Sequence, residues 1–341
     1  MANIQEVAHA AGVSTASVSR FLGGATVRSG AAIARAIDEL DYVPSVAARS
    51  LRSGRHGSIA VIVPDIANPF ISALVKGIEQ ETRVAGYQVL LGNSDEDSRQ
   101  ENALLGALSQ RTDGIIMAPL VEEGRSVLGL SRIDVPVVLV DRDVHSRNNL
   151  DRVLVDNLSG ARQAVEHLIS LGHRRIAFIS GPLQSTPGRA RYEGFVSTMA
   201  MHGFPADKSL MRISDFRESG GYQSMTEIWS MKLRPTAVFI ANNLMTIGAL
   251  RALNDLRVSV PNEISVVGFD DLSFASLLNP PLTVIRRPEV EQGSKAAQLL
   301  LARISGSVAD ESQSVTLPVE LVVRGSTASI ERSDDGIANE R

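Results

Sequence analysis

At 341 residues the chain is long enough for two or three domains. It has no cysteine, which excludes disulfides, thiolate catalysis and cysteine–zinc sites, and no apolar run approaches the roughly 20 residues of a membrane span. The net charge of −4 is split: residues 1–56 carry six arginines against four acids, a mildly basic head of +2 on a body of −6.

The first residues lack a basic segment followed by an apolar one, so no signal peptide is expected and the setting reads as the cytoplasm. Ile4, Val7, Ala8 and Ala11 share one helical face. Gly12 breaks that helix where a sharp turn needs positive φ. Ser14 is placed to cap a second helix whose inner face is Val18, Phe21 and Leu22. Ala16, Ser19 and Arg20 point the other way, with Thr15 and Ser17 on the flanks. Two short helices around a glycine turn, with a small polar face and one arginine, form a helix-turn-helix. Small side chains let such a helix sit deep in a major groove, and Arg20 can reach the O6/N7 edge of a guanine. A plain α-hairpin with a solvated face would show the same pattern.

Ser29–Leu40 reads as a third helix, with Ile33, Ile37 and Leu40 inward. The following Pro44–Arg55 stretch holds a helix of about two turns, too short to be stable alone in water. It reads either as a basic linker or as a segment that folds on DNA. In the second case Arg49 and Arg52 face phosphates and Leu51 wedges into the minor groove.

From Ser58 the chain alternates apolar β-rich runs with helical stretches. Strands are expected at Ile59–Val63, Gln88–Leu91, Gly114–Met117, Val137–Val140, Val153–Val155, Arg175–Ile179, Leu210–Ile213, Ala237–Ala241, Ser265–Gly268 and Thr283–Ile285. Helices are expected at Pro69–Ala85, Leu158–Leu171 and Arg189–Met201. This alternation implies parallel sheets covered on both faces, and there are too many strands for one sheet. The prediction is two doubly wound subdomains, with helix Glu289–Ile304 and strand Ser314–Val319 returning to the first.

Ligands of such folds bind at the carboxyl ends of the strands, in the cleft between halves. The polar and aromatic residues just after strands are therefore the effector-site candidates: Asp65, Asn68, Phe70, Asp141, Arg189, Arg191, Phe216, Asn242 and Asp270. Carboxylates, amides and arginines beside flat rings suit a sugar. Asp and Asn are also favoured in loops and caps for purely structural reasons.

The head "IQEVAHAAGVSTASVSR", the hinge "DYVPSVAARSLRSGR" and the body resemble the LacI/GalR family of bacterial transcription regulators, over nearly the whole chain. The resemblance implies a type I periplasmic-binding-protein-like bilobal core. It implies that Thr15, Ala16 and Arg20 read bases and that Leu51 is a minor-groove lever. Ser17 and Ser19 join them as DNA-binding candidates. It also implies effector contacts at Arg191, Asn242 and Asp270 and an aromatic pocket at Phe70 and Phe216. Two departures stand out: Gly23-Gly24 replaces the usual asparagine, and the stretch to the third helix is short.

The expected layout is a head over 1–43, a hinge over 44–57, one core half over 58–157 and 288–325, the other over 158–287, and a polar tail over 326–341. No catalytic motif occurs, so no enzyme, cofactor or metal is expected; His167 and His173 read as capping or surface residues. The expected function is a cytoplasmic, homodimeric repressor of double-stranded DNA. Its operator would be a palindrome with a central CG step, and its effector a monosaccharide. A purine corepressor and a solute-binding protein without a DNA role remain as alternatives.

Overall fold

A computed structural model describes residues 2–43, 55–122, 130, 133–144, 149–307 and 311–330. The chain divides into two units, Met1–Gly57 and Ser58–Arg341. The hinge candidates Arg49, Leu51 and Arg52 lie outside the described residues.

The head is built of α1 (Ile4–Ala10), α2 (Thr15–Leu22) and α3 (Gly30–Glu39). Asn3 and Glu6 close a capping box at the start of α1, each side chain bonding the other's end of the first turn. Gly12 takes φ +63° in the turn, and Ser14 Oγ caps α2 through the Ser17 amide at 3.3 Å. Val7, Ala8, Val18, Ile33 and Ala36 form the buried core, with Phe21, Ile37 and Leu40 packed at its edge. The short stretch between α2 and α3 closes because Gly24 adopts φ +82°, letting the Ala25 amide reach back to the Arg20 carbonyl at 3.0 Å.

The first lobe of the body carries β1 (Ser58–Val63), β2 (Gln88–Asn93), β3 (Ile115–Met117), β4 (Val137–Val140), β5 (Asp151–Val155) and, from the far end of the chain, β11 (Ser314–Leu317). Their order is β11-β5-β4-β3-β1-β2, and every pairing is parallel. The run "SIAVIV" of β1 is buried at every position, as expected of a strand covered on both faces. The second lobe carries β6 (Ile176–Ser180), β7 (Met211–Ile213), β8 (Ala237–Ile240), β9 (Ser265–Phe269), β10 (Thr283–Arg286) and β12 (Glu320–Val322), in the order β12-β10-β9-β8-β6-β7. Phe178 centres its core, stacked on Phe195 at 4.6 Å and Phe239 at 5.3 Å.

The covering helices are α4 (Pro69–Val84), α5 (Ser98–Ser109), α6 (Asn157–Ser170), α7 (Thr186–Met201), α8 (Glu218–Trp229), α9 (Asn243–Asp255) and α10 (Glu289–Ser305). Helix α4 crosses α10 at reciprocal glycines. A Cβ on Gly77 would run into the Val290 carbonyl, and one on Gly293 into the Leu74 carbonyl. The second lobe repeats the device where Gly221 of α8 meets Met245 and Gly248 of α9 meets Glu218. Such backbone-to-backbone approach leaves no room for any side chain.

Three expectations are corrected. Helix α7 starts at Thr186 rather than Arg189, because Ser185 accepts from the Gly188 amide at 3.2 Å and Pro187 fits the first turn. The strand expected over Ser314–Val319 does join the first sheet but stops two residues short. Beta strand β11 ends at Leu317, Pro318-Val319 crosses between lobes, and β12 pairs antiparallel with β10, so the second sheet is mixed. Residues 320–328 therefore pack with the second lobe, not the first.

Nor is the start of the expected tail free. Ser326 is buried, donating to the Val266 carbonyl at 2.7 Å and accepting from the Thr283 amide at 2.8 Å. His173, far from the surface, lies 3.1 Å by Nε2 from the Ala328 carbonyl and 2.9 Å by Nδ1 from the Thr236 hydroxyl. A carbonyl only accepts, so Nε2 carries the proton and Nδ1 accepts. His167 meets the Thr327 hydroxyl at 3.0 Å. The two histidines dock the 326–330 segment onto the second lobe.

Candidate functional site

On α2, Thr15, Ala16 and Arg20 are exposed, while Ser17 and Ser19 are half-buried. Ser17 lies 3.1 Å by Oγ from the capping hydroxyl of Ser14. The convex face of the helix thus offers two small side chains and one long cation.

The second assembly is the cleft between the lobes. The carboxyl ends of β1, β4, β8 and β9 and the first turns of α4, α7 and α9 converge there, around a space of about 530 Å³ that includes its open mouth. Asp65, Asn68, Phe70, Asp141, Arg191, Phe216, Asn242 and Asp270 all line it, joined by Glu96, Arg142 and Arg287, which the candidate set omits.

Arg287, leaving β10, is the centre of this cluster. It is buried, lies 3.3 Å above the ring of Phe70, and places Nη1 2.5 Å from Asp141 Oδ1. Its Nε lies 2.8 Å from Asp270 Oδ1 with the N–H off line, an ion pair rather than a hydrogen bond. Asp141 follows β4 in the first lobe and Asp270 follows β9 in the second. Both take left-handed backbone, at φ +65° and +73°, which asparagine and aspartate tolerate better than other residues. Phe216 does so at +64°, a costlier choice of the order of 1–3 kcal/mol that surrounding contacts must offset.

Burial works to raise the Asp141 carboxyl, but the charges of Arg287, Arg191 and Arg142 outweigh it and hold the group below the ordinary carboxylate range. Burial likewise opposes the Arg287 charge, and Asp270 and Asp141 overcome it and push its pKa up.

Arg191 is buried among neutral partners. Its Nε donates to Asn157 Oδ1 at 2.8 Å, Nη1 donates to the Ala241 carbonyl, and the guanidinium lies 3.5 Å over Phe269. Nη2 has no hydrogen-bond partner. Burial outweighs the attraction of Asp270 and Asp141 and pulls this arginine down to about 10. Arg142 grips Glu96 with both terminal nitrogens, at 2.9 and 3.4 Å, and leaves Nε without a hydrogen bond.

Several candidates turn out to be occupied by local structure. Asn242 caps α9, accepting from the Met245 amide at 2.9 Å, and donates to the Phe216 carbonyl at 3.0 Å. Asn68 caps α4, and Asp65 accepts from the Ala67 amide at 2.9 Å. Arg189 is corrected outright. It does not line the cleft but pairs with Glu122 at 3.2 Å, because two helical residues earlier than Arg191 is nearly the opposite face. Arg287 carries the same signal as Asp141, a polar residue directly after an apolar strand. It is missed because "TVIRRPE" reads as the lead into the last helix.

Residues 3–45 match the family model "Bacterial regulatory proteins, lacI family", and residues 165–327 match "Periplasmic binding protein-like domain". A helix-turn-helix head joined to a two-lobed binding-protein core defines a ligand-responsive DNA-binding regulator. The ribose operon repressor of Escherichia coli K12 is 36% identical over 331 residues, 96% of this chain and 100% of the relative. The chain belongs to the lacI family of bacterial regulatory proteins, whose members are transcription regulators and not enzymes. The Lac repressor dimer bound to operator and the anti-inducer ONPF superposes with a TM-score of 0.83 at 27% identity, covering 96% of this chain and 99% of that one. A LacI family regulator from Enterococcus faecium with bound ribose gives 0.71 at 31% identity, covering 80% and 100%.

Proposed function

We propose that the protein is a cytoplasmic, homodimeric repressor whose operator binding is set by a monosaccharide-type effector in the interlobe cleft. The carrying observation is Arg191: a buried guanidinium lining the cleft, stacked over Phe269, whose Nη2 has no hydrogen-bond partner and which feels the charges of Asp141 and Asp270, one from each lobe. A buried donor left unpaired costs about 1–3 kcal/mol, so a ligand oxygen that satisfies it binds with advantage. The relatives support a sugar, being a ribose operon repressor and a regulator with bound ribose.

In this reading Thr15, Ala16, Ser17, Ser19 and Arg20 face the major groove, and the hinge residues Arg49, Leu51 and Arg52 engage the minor groove. Two heads on a two-fold axis read a palindrome with a central CG step. Effector bound to both lobes biases how they close, and differential affinity of a few kcal/mol suffices to shift the DNA-competent population.

The test begins with selection from random double-stranded DNA at fixed salt, since phosphate-driven affinity depends steeply on salt. A palindrome is expected. The recovered site then reports the response to monosaccharides and their derivatives, with hypoxanthine and guanine as competitors. Arg191→Met is expected to keep operator affinity and lose the response. Enrichment of no site, or a normal dose curve in the variant, overturns the reading.

A further inference from the structure

We infer that the effector is an anionic sugar derivative, bearing a carboxylate or a phosphate, and that Arg287 is the residue that selects it. The inference rests on the proposal that the cleft takes a monosaccharide-type ligand.

A neutral sugar presents hydroxyls that both donate and accept, and a site for it needs free acceptors as well as donors. In this cleft every acidic side chain already faces a donor of the chain itself. Asp141 Oδ1 and Asp270 Oδ1 both face Arg287. Asn242 Oδ1 is committed to the Met245 amide, and Asn68 Oδ1 takes both the Phe70 amide and the Asn243 side chain. The remaining acids of the cleft are also engaged: Asp65 Oδ1 with the Ala67 amide, Glu96 with Arg142, and Asp215 Oδ1 with the Arg217 amide. The buried cleft atoms without a hydrogen-bond partner are three arginine donors, Arg191 Nη2, Arg142 Nε and Arg287 Nε, against one acceptor, Asp270 Oδ1, which faces Arg287 as an ion pair.

Arg287 creates this imbalance. Its guanidinium holds a carboxylate of each lobe and covers the face of Phe70, a surface on which a sugar's C–H groups would otherwise lie. Arg191 is left with an amide oxygen, a carbonyl and a ring as direct partners, none of them charged. An oxyanion on the ligand supplies acceptor oxygens for Arg191 Nη2 and Arg142 Nε, and gives Arg191 the directly bonded charge it lacks.

The experiment is isothermal titration of the full chain with six probes: D-ribose and D-glucose, D-ribonate and D-gluconate, D-ribose 5-phosphate and D-glucose 6-phosphate. The aldonates report a carboxylate and the phosphates a phosphoryl group. One anionic probe is expected to bind about ten- to hundredfold tighter than the neutral sugar of the same skeleton, the worth of one charge-assisted bond. Arg287→Gln frees Asp141, Asp270 and the Phe70 face, and is expected to reverse that order. Arg287→Lys keeps the charge and is expected to keep the order. Tighter binding of a neutral sugar by the unaltered chain overturns the inference and leaves the sugar reading standing. An unchanged order in a folded Arg287→Gln variant overturns the role of Arg287. Binding of none of the six overturns both the inference and the sugar reading; if Arg287→Gln fails to fold, the unaltered chain still decides the ligand class, and a reversed order in Arg287→Lys overturns the role of the Arg287 charge.

Discussion

Asn243 Nδ2 donates to Asn68 Oδ1 at 2.9 Å, joining the first turn of a helix in one lobe to the cap of a helix in the other. The same Asn68 oxygen accepts the Phe70 amide at 3.0 Å, so cap and bridge share one atom. On another side of the cleft the Asp143 amide donates to the Thr186 hydroxyl at 3.0 Å, and Glu122 accepts from the Thr186 amide. These bonds exist only while the lobes are together.

Asn243→Ala removes the bridge and leaves the cap. Closure, and with it effector affinity, is expected to weaken by about 0.5–1.5 kcal/mol, a few-fold to tenfold in Kd. Titration of effector against the variant checks this, alongside a melting curve that should barely move. Unchanged affinity would show that the bridge is incidental to closure.

The crossing of α4 and α10 predicts opposite outcomes for two glycine-to-alanine changes. Gly293→Ala pushes a Cβ into the Leu74 backbone, which no rotamer relieves, and is expected to cost about 1–3 kcal/mol. Gly106→Ala in α5 meets nothing within 4 Å and is expected to stabilise by about 0.5–1 kcal/mol. Urea unfolding distinguishes them, and equal midpoints would deny the close approach.

Glu101 predicts a pH dependence. Burial pushes its carboxyl up to about 7, against the Leu120 amide that donates to it at 2.8 Å. Its pKa is raised in the folded state, so the fold holds this proton where the unfolded chain releases it. The contribution of Glu101 to stability is therefore fully present at low pH and is lost as pH rises from about 4.5 to about 7. Glu101→Gln keeps an acceptor for Leu120 and removes this part of the slope. Its unfolding midpoint should gain on the unaltered protein between pH 5 and pH 8, and parallel curves would refute the assignment.

Arg20 is the long side chain on the exposed face of α2. Arg20→Ala is expected to relax base preference at one position per half-site at a cost of about 1–3 kcal/mol. Repeating the selection with the variant measures it; an identical recovered site would remove Arg20 from base reading.

The strands were legible because buried parallel strands are written as unbroken β-branched runs, as in "SIAVIV" and "AVFI". The head was legible because helix caps and glycine turns are local. Beta strand β12 was not, since three residues after a proline carry no pattern and the choice of sheet depends on where β10 ends. His173 looked like a surface residue because its partners Thr236 and Ala328 are remote in sequence. The cleft candidates follow a sound rule, polar residues after strands. The rule does not tell which of them are consumed by capping, as Asn242 is, and which partners a distant arginine will claim.

The Pro318-Val319 crossing has a consequence for biosynthesis. Each lobe draws its final edge strand from the last part of the chain, β11 for one sheet and β12 for the other. Both sheets stay one strand short until residues 314–322 have been made. A nonsense codon ahead of position 314 would strip an edge from both halves together. A copy cut short there lacks one edge strand in each half of the effector-binding core.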